Sequence, residues 1–215
     1  MVPVGAWNVE NFRGNASAFH AVDPPAARTL WDVRVTAPAL VLGSMQEEST
    51  VNMSVAADGG IETPRRRSGG GAVWVGPVGT IWFDIVIPRG DALWDDDVAR
   101  SMLWLGRVLA DVVGDGARVF DGRYRATDLA RAYCFGGTAP GEVIGPRGKI
   151  VGISQRRTRD LARFQCVAYS EYDPPAVARL FADPSLAAQV ATTGVQTVSV
   201  APPQFVASLL ERLPS

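Results

Sequence analysis

The sequence predicts an α/β fold of the α+β type, a mixed β-sheet flanked by helices, in a single domain over residues 1–215. Three observations carry that reading. Two apolar runs at 72–75 and 80–87 are joined by Gly76-Pro77-Val78-Gly79 and make a hairpin, which is an antiparallel unit. Val98, Met102, Leu105, Leu109 and Val112 recur at helical spacing. Further short strand-like runs in the second half do not alternate regularly with helices, which argues against a purely parallel sheet. At 215 residues, 47% of them hydrophobic, the chain can bury the core of one domain.

In chain order, Val, Leu and Trp cluster in short runs from 31 to 42, broken by Pro38 and closed by Gly43, which predicts one or two strands. A short helix is expected over 49–57. The stretch 61–65 reads as extended, because Pro64 disfavours helix for itself and its predecessor. It leads into Ser68-Gly69-Gly70-Gly71, a glycine-rich turn at the entrance to the hairpin. Asp95, Asp96 and Asp97 suit a helix N-terminus, and Gly114 suits its end. Short strands are expected at 118–120, 132–135, 143–144 and 149–154, and Phe164, Cys166 and Ala168 alternate as strand residues do. Helices at about 174–181 and 203–213 close the domain.

A formal net charge of −1 excludes the broad basic footprint that holds nucleic acid, so no nucleic-acid partner is expected. Without a signal-like start or a long apolar run, no membrane partner is expected either, and the location reads as cytoplasmic. Cys134 and Cys166 are too few for a disulfide framework and read as free thiols, Cys166 as part of the core. Two thiols and the single His20 make a poor zinc site, so no metal site is expected, and His20 reads as an ordinary polar residue.

Lys149 is the only lysine among 21 basic residues. An ammonium is a compact point charge that can reach one oxygen at a reacting centre, whereas a guanidinium is a broad planar fork. This makes Lys149 the first candidate for chemistry. It opens the run Gly148-Lys149-Ile150-Val151-Gly152-Ile153-Ser154-Gln155. Strict strand alternation places Lys149, Val151 and Ile153 on one face and Ile150, Gly152 and Ser154 on the other, with Gly152 leaving room for a ligand. A second run, Arg65-Arg66-Arg67-Ser68-Gly69-Gly70-Gly71-Ala72-Val73, offers backbone N–H groups to an anion and guanidiniums to phosphate or carboxylate oxygens. It leads into a strand and lacks a Gly-Lys-Ser/Thr ending, so it is neither a dinucleotide fingerprint nor a Walker loop.

These two runs, in this order, resemble the lipoate-protein ligase A family and its relatives, the superfamily of octanoyltransferases and biotin protein ligases. The loop matches at Arg66, Arg67, Ser68, Gly69, Gly70, Gly71, Ala72 and Val73, and the strand at Lys149, Gly152, Ser154 and Gln155. Gly43 and Gln46 fit the family's Gly-x-x-Gln-like turn, Phe83 to Ile87 also fit, and the likeness spans about residues 30 to 170. It implies an acyl and adenylate site lined by the loop and by Gly152, Ser154 and Gln155, with Lys149 contacting the reacting carbonyl.

Two departures bear on the reaction. Ligases that adenylate lipoate carry His or Asp soon after Gly-Gly-Ala-Val, where this chain has Trp74 and Val75, and an Asn-Asp pair where it has Gly141-Glu142. By contrast, Cys134-Phe135, Pro140, Glu142 and Lys149 look like the arrangement in octanoyltransferases that use a nucleophilic cysteine. The resemblance therefore implies a protein lipoylation enzyme that attaches a lipoyl or octanoyl group to a lysine of a lipoyl carrier domain, with Cys134 and Lys149 as catalytic residues. Its partners would be a glycine-cleavage H protein or a 2-oxoacid dehydrogenase acyltransferase subunit, with acyl carrier protein as a possible donor. The other readings are an ATP- and Mg-dependent lipoate-protein ligase working through lipoyl-adenylate, a biotin ligase, and a non-catalytic lipoyl-binding module. With the chain ending at Ser215, no accessory C-terminal domain is expected.

Overall fold

The computed structural model describes residues 7–114 and 116–215. Nine strands and seven α-helices are defined among them: β1 (Asn8–Gly14), α1 (Ala16–Ala21), β2 (Thr29–Val35), β3 (Ala39–Val41), α2 (Met53–Asp58), β4 (Val73–Val75), β5 (Thr80–Pro88), α3 (Leu103–Val113), β6 (Arg118–Val119), α4 (Asp128–Ala132), β7 (Val143–Gly145), β8 (Gly148–Arg157), β9 (Leu161–Tyr169), α5 (Pro174–Ala178), α6 (Pro184–Thr192) and α7 (Pro202–Arg212). Seven strands form one sheet in the order β1-β2-β5-β9-β8-β7-β6, and β3 and β4 form a small second sheet. The β1–β2 pair is parallel and the other pairs in the large sheet are antiparallel. The sheet is mixed and covered by helices, as the sequence predicts, but the expected hairpin of 72–75 with 80–87 does not form: β4 pairs with β3 in the small sheet and β5 with β2 and β9 in the large one, so Gly76 to Gly79 carry the chain from one sheet to the other.

The period of two along the central strands sorts side chains onto the two faces. Ile81, Phe83, Ile85 and Ile87 of β5 join Phe164, Cys166 and Ala168 of β9 under α3 and α7. Trp82, Val167 and Tyr169 point the other way, into a core shared with α1, the small sheet and α4 to α6. The second core, with the small sheet laid over the large one, contains the candidate site.

The two ends of Pro38 fall into separate strands, β2 and β3. Several local expectations fail for identifiable reasons. Residues 95–97 do not start the helix. Asp97 Oδ1 accepts from the N–H groups of Ala99 and Arg100 and so closes the turn that leads into a 3-10 turn at 100–102, after which α3 begins at Leu103. Residues 132–135 are not a strand. They hold the end of α4 and a 3-10 turn at 134–136, with a lone bridge from Tyr133 to Ala72. The expected helix over 49–57 is shorter and is capped by Asn52. Edge strand β1 went unpredicted because its sequence, NVENFRG, is polar and its residues are largely exposed. Helix α6 was also missed, although Asp183 caps it and Pro184 occupies its first position.

Candidate active site

Lys149 stands at the start of β8, where the pairing with β7 slips: Val143 pairs with Val151, but Ile144 pairs with Lys149. Ile150 is the extra residue. Ile150 and Val151 consequently both enter the core under α3 and α7, together with Ile153. Strict alternation would group Lys149 with Val151 and Ile153. The bulge corrects this and turns Lys149 to the face that Gly152 and Ser154 occupy.

On that face the ammonium is buried. Lys149 Nζ lies 2.7 Å from the Glu142 carboxylate and donates to the backbone carbonyl of Cys134 at 2.6 Å. It also sits 5.5 Å from the centre of the Phe135 ring. Glu142 is held in turn by the N–H groups of Ala139 and Ile153. Burial raises the Glu142 pKa, and Lys149 acts against that.

Cys134 opens the 3-10 turn that follows α4, one residue past the helix's cap at Tyr133. Gly152 makes space beside its thiol: a Cβ there would stand 3.1 Å from Sγ, 3.4 Å from the Phe135 ring and 3.7 Å from Glu142 Oε1. Burial raises the thiol pKa above its ordinary value, while Lys149 and Arg66 pull it down and Glu142 pushes it up. Burial outweighs the pull of Lys149, and the resting group is a thiol.

The three glycines of the loop serve three different ends. A Cβ on Gly69 would meet nothing within 4 Å. Gly70 has φ +95°, a conformation side chains rarely adopt, and its carbonyl oxygen would lie 1.9 Å from a Cβ on Gly43. Gly71 passes so close to Tyr133 that a Cβ would come within 2.5 Å of its backbone nitrogen. Ala72 then bridges to Tyr133, and Val73 enters β4 with its side chain lining a pocket.

Of the neighbouring arginines only Arg66 is buried; Arg65 and Arg67 are exposed. Arg66 donates to the carbonyls of Val41, Gly69 and Gly71, so it braces the loop from within. Arg65 donates to the carbonyls of Gly43 and Gln46, and Arg67 pairs with exposed Asp23. The turn at Gly43 is closed by Gln46, whose amide also reaches Ala132. Gln155 donates to Ser101 at 3.0 Å.

Two pockets meet at Cys134, Arg66 and Ser154. One is narrow and apolar, with about 20 Å³ of interior space, and is lined by Val41, Val73, Val75, Trp82 and Val167 together with His20 and Gln165. The other is an open cleft of about 220 Å³ bordered by Gly69, Gly70, Gly71, Glu142, Lys149 and Gln155. Every candidate site residue except Arg67, Ser68 and Ala72 lines one of these pockets, and Ala72 contributes only its bridge to Tyr133. Ser68 lies just beneath, donating to Gln165 Oε1 at 2.7 Å and lying 3.0 Å from Ser154 Oγ.

Sequence reasoning missed His20 and Gln165, and it noted Glu142 only for its spacing. His20 is buried in the apolar pocket, where burial, Arg163 and Arg66 lower its pKa to about 3. Behind it, Arg163 pairs with buried Asp84 at 2.5 Å. Glu142 carried a signal in its place in the Cys-Pro-Glu-Lys spacing, whereas nothing local ties residue 20 to residue 165.

A mixed sheet with a small second sheet laid over it is the fold shared with the lipoate and biotin protein ligases. The chain belongs to the lipoyl protein ligase A/B catalytic domain family, whose model matches residues 9–214. Among solved structures, a Thermoplasma acidophilum protein with bound lipoic acid is 15% identical with a TM-score of 0.65, over 97% of this chain and 83% of that one. A bipartite lipoate protein ligase, described with its E2 lipoyl domain from the same organism, is 16% identical with a TM-score of 0.67, over 97% and 81%. A lipoate-protein ligase A bound with ATP is 16% identical with a TM-score of 0.66, over 97% and 83%. Biotin protein ligases share the fold at greater distance. No protein among those of curated function matches the sequence.

Proposed function

We propose that this enzyme transfers a lipoyl or octanoyl group from a thioester donor to a lysine of a lipoyl carrier domain, through a thioester on Cys134. The observation that carries the reading is the position of Cys134 at the junction of the apolar pocket and the polar cleft, beside the Lys149–Glu142 pair. The acyl chain lies in the apolar pocket. The donor and the acceptor lysine approach through the cleft. With about 20 Å³ inside, the apolar pocket has room for roughly one water in this state, so Trp82, Val167 and their neighbours must shift to admit a chain.

The chemistry balances without a further reagent. The Cys134 sulfur attacks the thioester carbonyl, the bond to the donor sulfur breaks, and the thiol proton leaves with the donor as its free thiol. The acceptor amine then attacks the enzyme thioester, an amide forms, and Cys134 recovers its proton. Both attacks place negative charge on the carbonyl oxygen. Lys149 is the buried cation at that end of the cleft, fixed in position by Glu142 and the Cys134 carbonyl, and it stabilises this charge.

The second reading, activation of lipoate by ATP, is supported by the likeness in fold to a ligase described with ATP and by the open cleft beside Gly69 to Gly71. Here ATP is a second substrate. The side chains of Arg65, Arg66 and Arg67 already hold protein oxygens, which favours transfer over adenylation. No group of three His, Cys, Asp or Glu side chains suited to a metal forms among the described residues, so magnesium would be held chiefly by the phosphates.

The deciding experiment offers an apo lipoyl domain either an octanoyl or lipoyl thioester, or lipoate with MgATP, and weighs the domain by mass spectrometry. Modification from the thioester alone supports transfer. Modification that requires ATP and releases pyrophosphate replaces it with the ligase.

A further inference from the structure

The apolar pocket is not apolar throughout. His20 lines only this pocket and is absent from the cleft, as are Val75, Trp82, Gln165 and Val167, so these residues form the end away from Lys149. The His20 ring packs 5.2 Å from the Trp82 ring and is tilted against it. Its Nε2 is buried and has no hydrogen-bond partner among the described residues.

The neighbouring network fixes which ring nitrogen carries the proton. Gln165 Oε1 accepts from Ser68 Oγ at 2.7 Å, and its Nε2 faces Asp84 Oδ2 at 3.4 Å. A carboxylate paired with Arg163 can only accept, so the amide must present its NH₂ on that side. The same NH₂ faces His20 Nδ1 at 3.5 Å, the outer limit of a hydrogen bond. Nδ1 is therefore the acceptor and Nε2 bears the hydrogen. Burial beside Arg163 and Arg66 keeps the ring neutral.

We propose that His20 is a specificity residue whose Nε2–H selects acyl chains carrying a hydrogen-bond acceptor in their distal half, and so favours a lipoyl group over an octanoyl group. This rests on the apolar pocket being the acyl site. The two chains share a carbon skeleton and differ at its far end, where lipoyl carries two ring sulfurs with lone pairs and octanoyl carries only C–H bonds. A saturated chain packed against Nε2 leaves a buried N–H without an acceptor, whereas a dithiolane sulfur accepts it, if weakly. Sites that satisfy a polar atom of the substrate discriminate against analogues lacking it because their own buried group is then unpaired.

The test uses the wild-type enzyme, His20→Leu and His20→Gln. Binding of free lipoic and octanoic acids is measured by calorimetry, and kcat/KM is measured with lipoyl and octanoyl thioesters of the same small thiol. Lipoyl is expected to lead by on the order of tenfold in the wild type. His20→Leu should erase or reverse that ratio, and His20→Gln, which keeps an N–H donor, should retain part of it. A ratio that is unchanged in His20→Leu, or a wild type that favours octanoyl, overturns the proposal while leaving acyl transfer intact. If neither acid binds the wild type, the acyl-site reading falls and takes this one with it. Because His20 is the only histidine, ¹⁵N-histidine labelling of the wild type gives one ring to follow and does not depend on any variant folding. The spectrum should show a proton on Nε2 whose shift moves with lipoic acid and much less with octanoic acid. A proton on Nδ1 would refute the assignment.

Discussion

Lys149 and Glu142 form a buried ion pair whose ammonium also holds the carbonyl of Cys134, so one contact fixes the lysine and the loop that bears the candidate nucleophile. Removing one partner strands the other charge. Lys149→Met should cost about 3–5 kcal/mol of stability. Glu142→Gln in the Lys149→Met background should restore much of that without restoring acyl attachment. Thermal or denaturant unfolding and the mass assay separate the two effects. Lys149→Arg keeps the charge and should fold, yet lose nearly all attachment, because the guanidinium cannot reproduce the point contact; an active Lys149→Arg removes the lysine from the mechanism.

Cys134 divides the two functional readings. Enzyme given a thioester donor without acceptor should gain the mass of one acyl group on Cys134, and Cys134→Ser should lose transfer. Since burial raises this thiol, its alkylation should accelerate as pH rises, with a midpoint above the ordinary value of 9.0. Lys149 lowers that pKa, so Lys149→Met should slow alkylation at a given pH. A fully active Cys134→Ser transfers the case to the ATP-dependent ligase.

How far the site could be read from the sequence follows from how local its determinants are. Ser68 to Gly71 and Gly152 to Gln155 are contiguous runs whose glycines signal close backbone approach, and the structure does bring both runs to the junction at Cys134. The side to which Lys149 points was not legible, because it depends on a one-residue bulge set by the partner strand β7. The arginines were misread for a similar reason. Arg66 sits in a run suited to anions, yet the fold surrounds it with the carbonyls of Val41, Gly69 and Gly71. His20 of α1 and Gln165 of β9 meet only in the fold, 145 residues apart in the chain, and no spacing rule connects them. Polar β1 shows the same limit in the fold, since an exposed edge strand lacks the alternation that marks a half-buried one.

The glycine loop makes a graded prediction. Gly71→Ala should destabilise the fold outright, because its Cβ would press on the Tyr133 backbone, and Gly70→Ala should cost about 1 kcal/mol or more through its positive φ. Both changes mix folding with function. Gly69 is the position that isolates function, since a Cβ there meets nothing within 4 Å although the residue borders the cleft. Gly69→Val should leave the unfolding temperature nearly unchanged and weaken acyl-donor binding. Unaltered donor affinity in Gly69→Val would make the loop structural alone.

His20 also makes the stability of the fold depend on pH with a definite sign. Its folded pKa is lowered to about 3 from an ordinary value of 6.5, so below pH 6.5 the unfolded chain binds a proton that the folded protein refuses. The contribution is complete above pH 6.5 and is lost as pH falls toward 3. Acidification from pH 6.5 to 5 should cost roughly 1.6 kcal/mol from this residue, since the linkage slope of 1.36 kcal/mol per pH unit is reached only once the unfolded-state ring is fully protonated. Asp84 and Glu142, whose pKa values burial raises, act in the opposite direction over acid pH, so the total slope is a composite. The difference between wild type and His20→Leu isolates the histidine. Denaturant unfolding of both proteins at pH 7, 6 and 5 should show the wild type losing stability faster on acidification; parallel losses in the two would mean that the ring is protonated in the folded state and cannot serve as a neutral donor in the pocket.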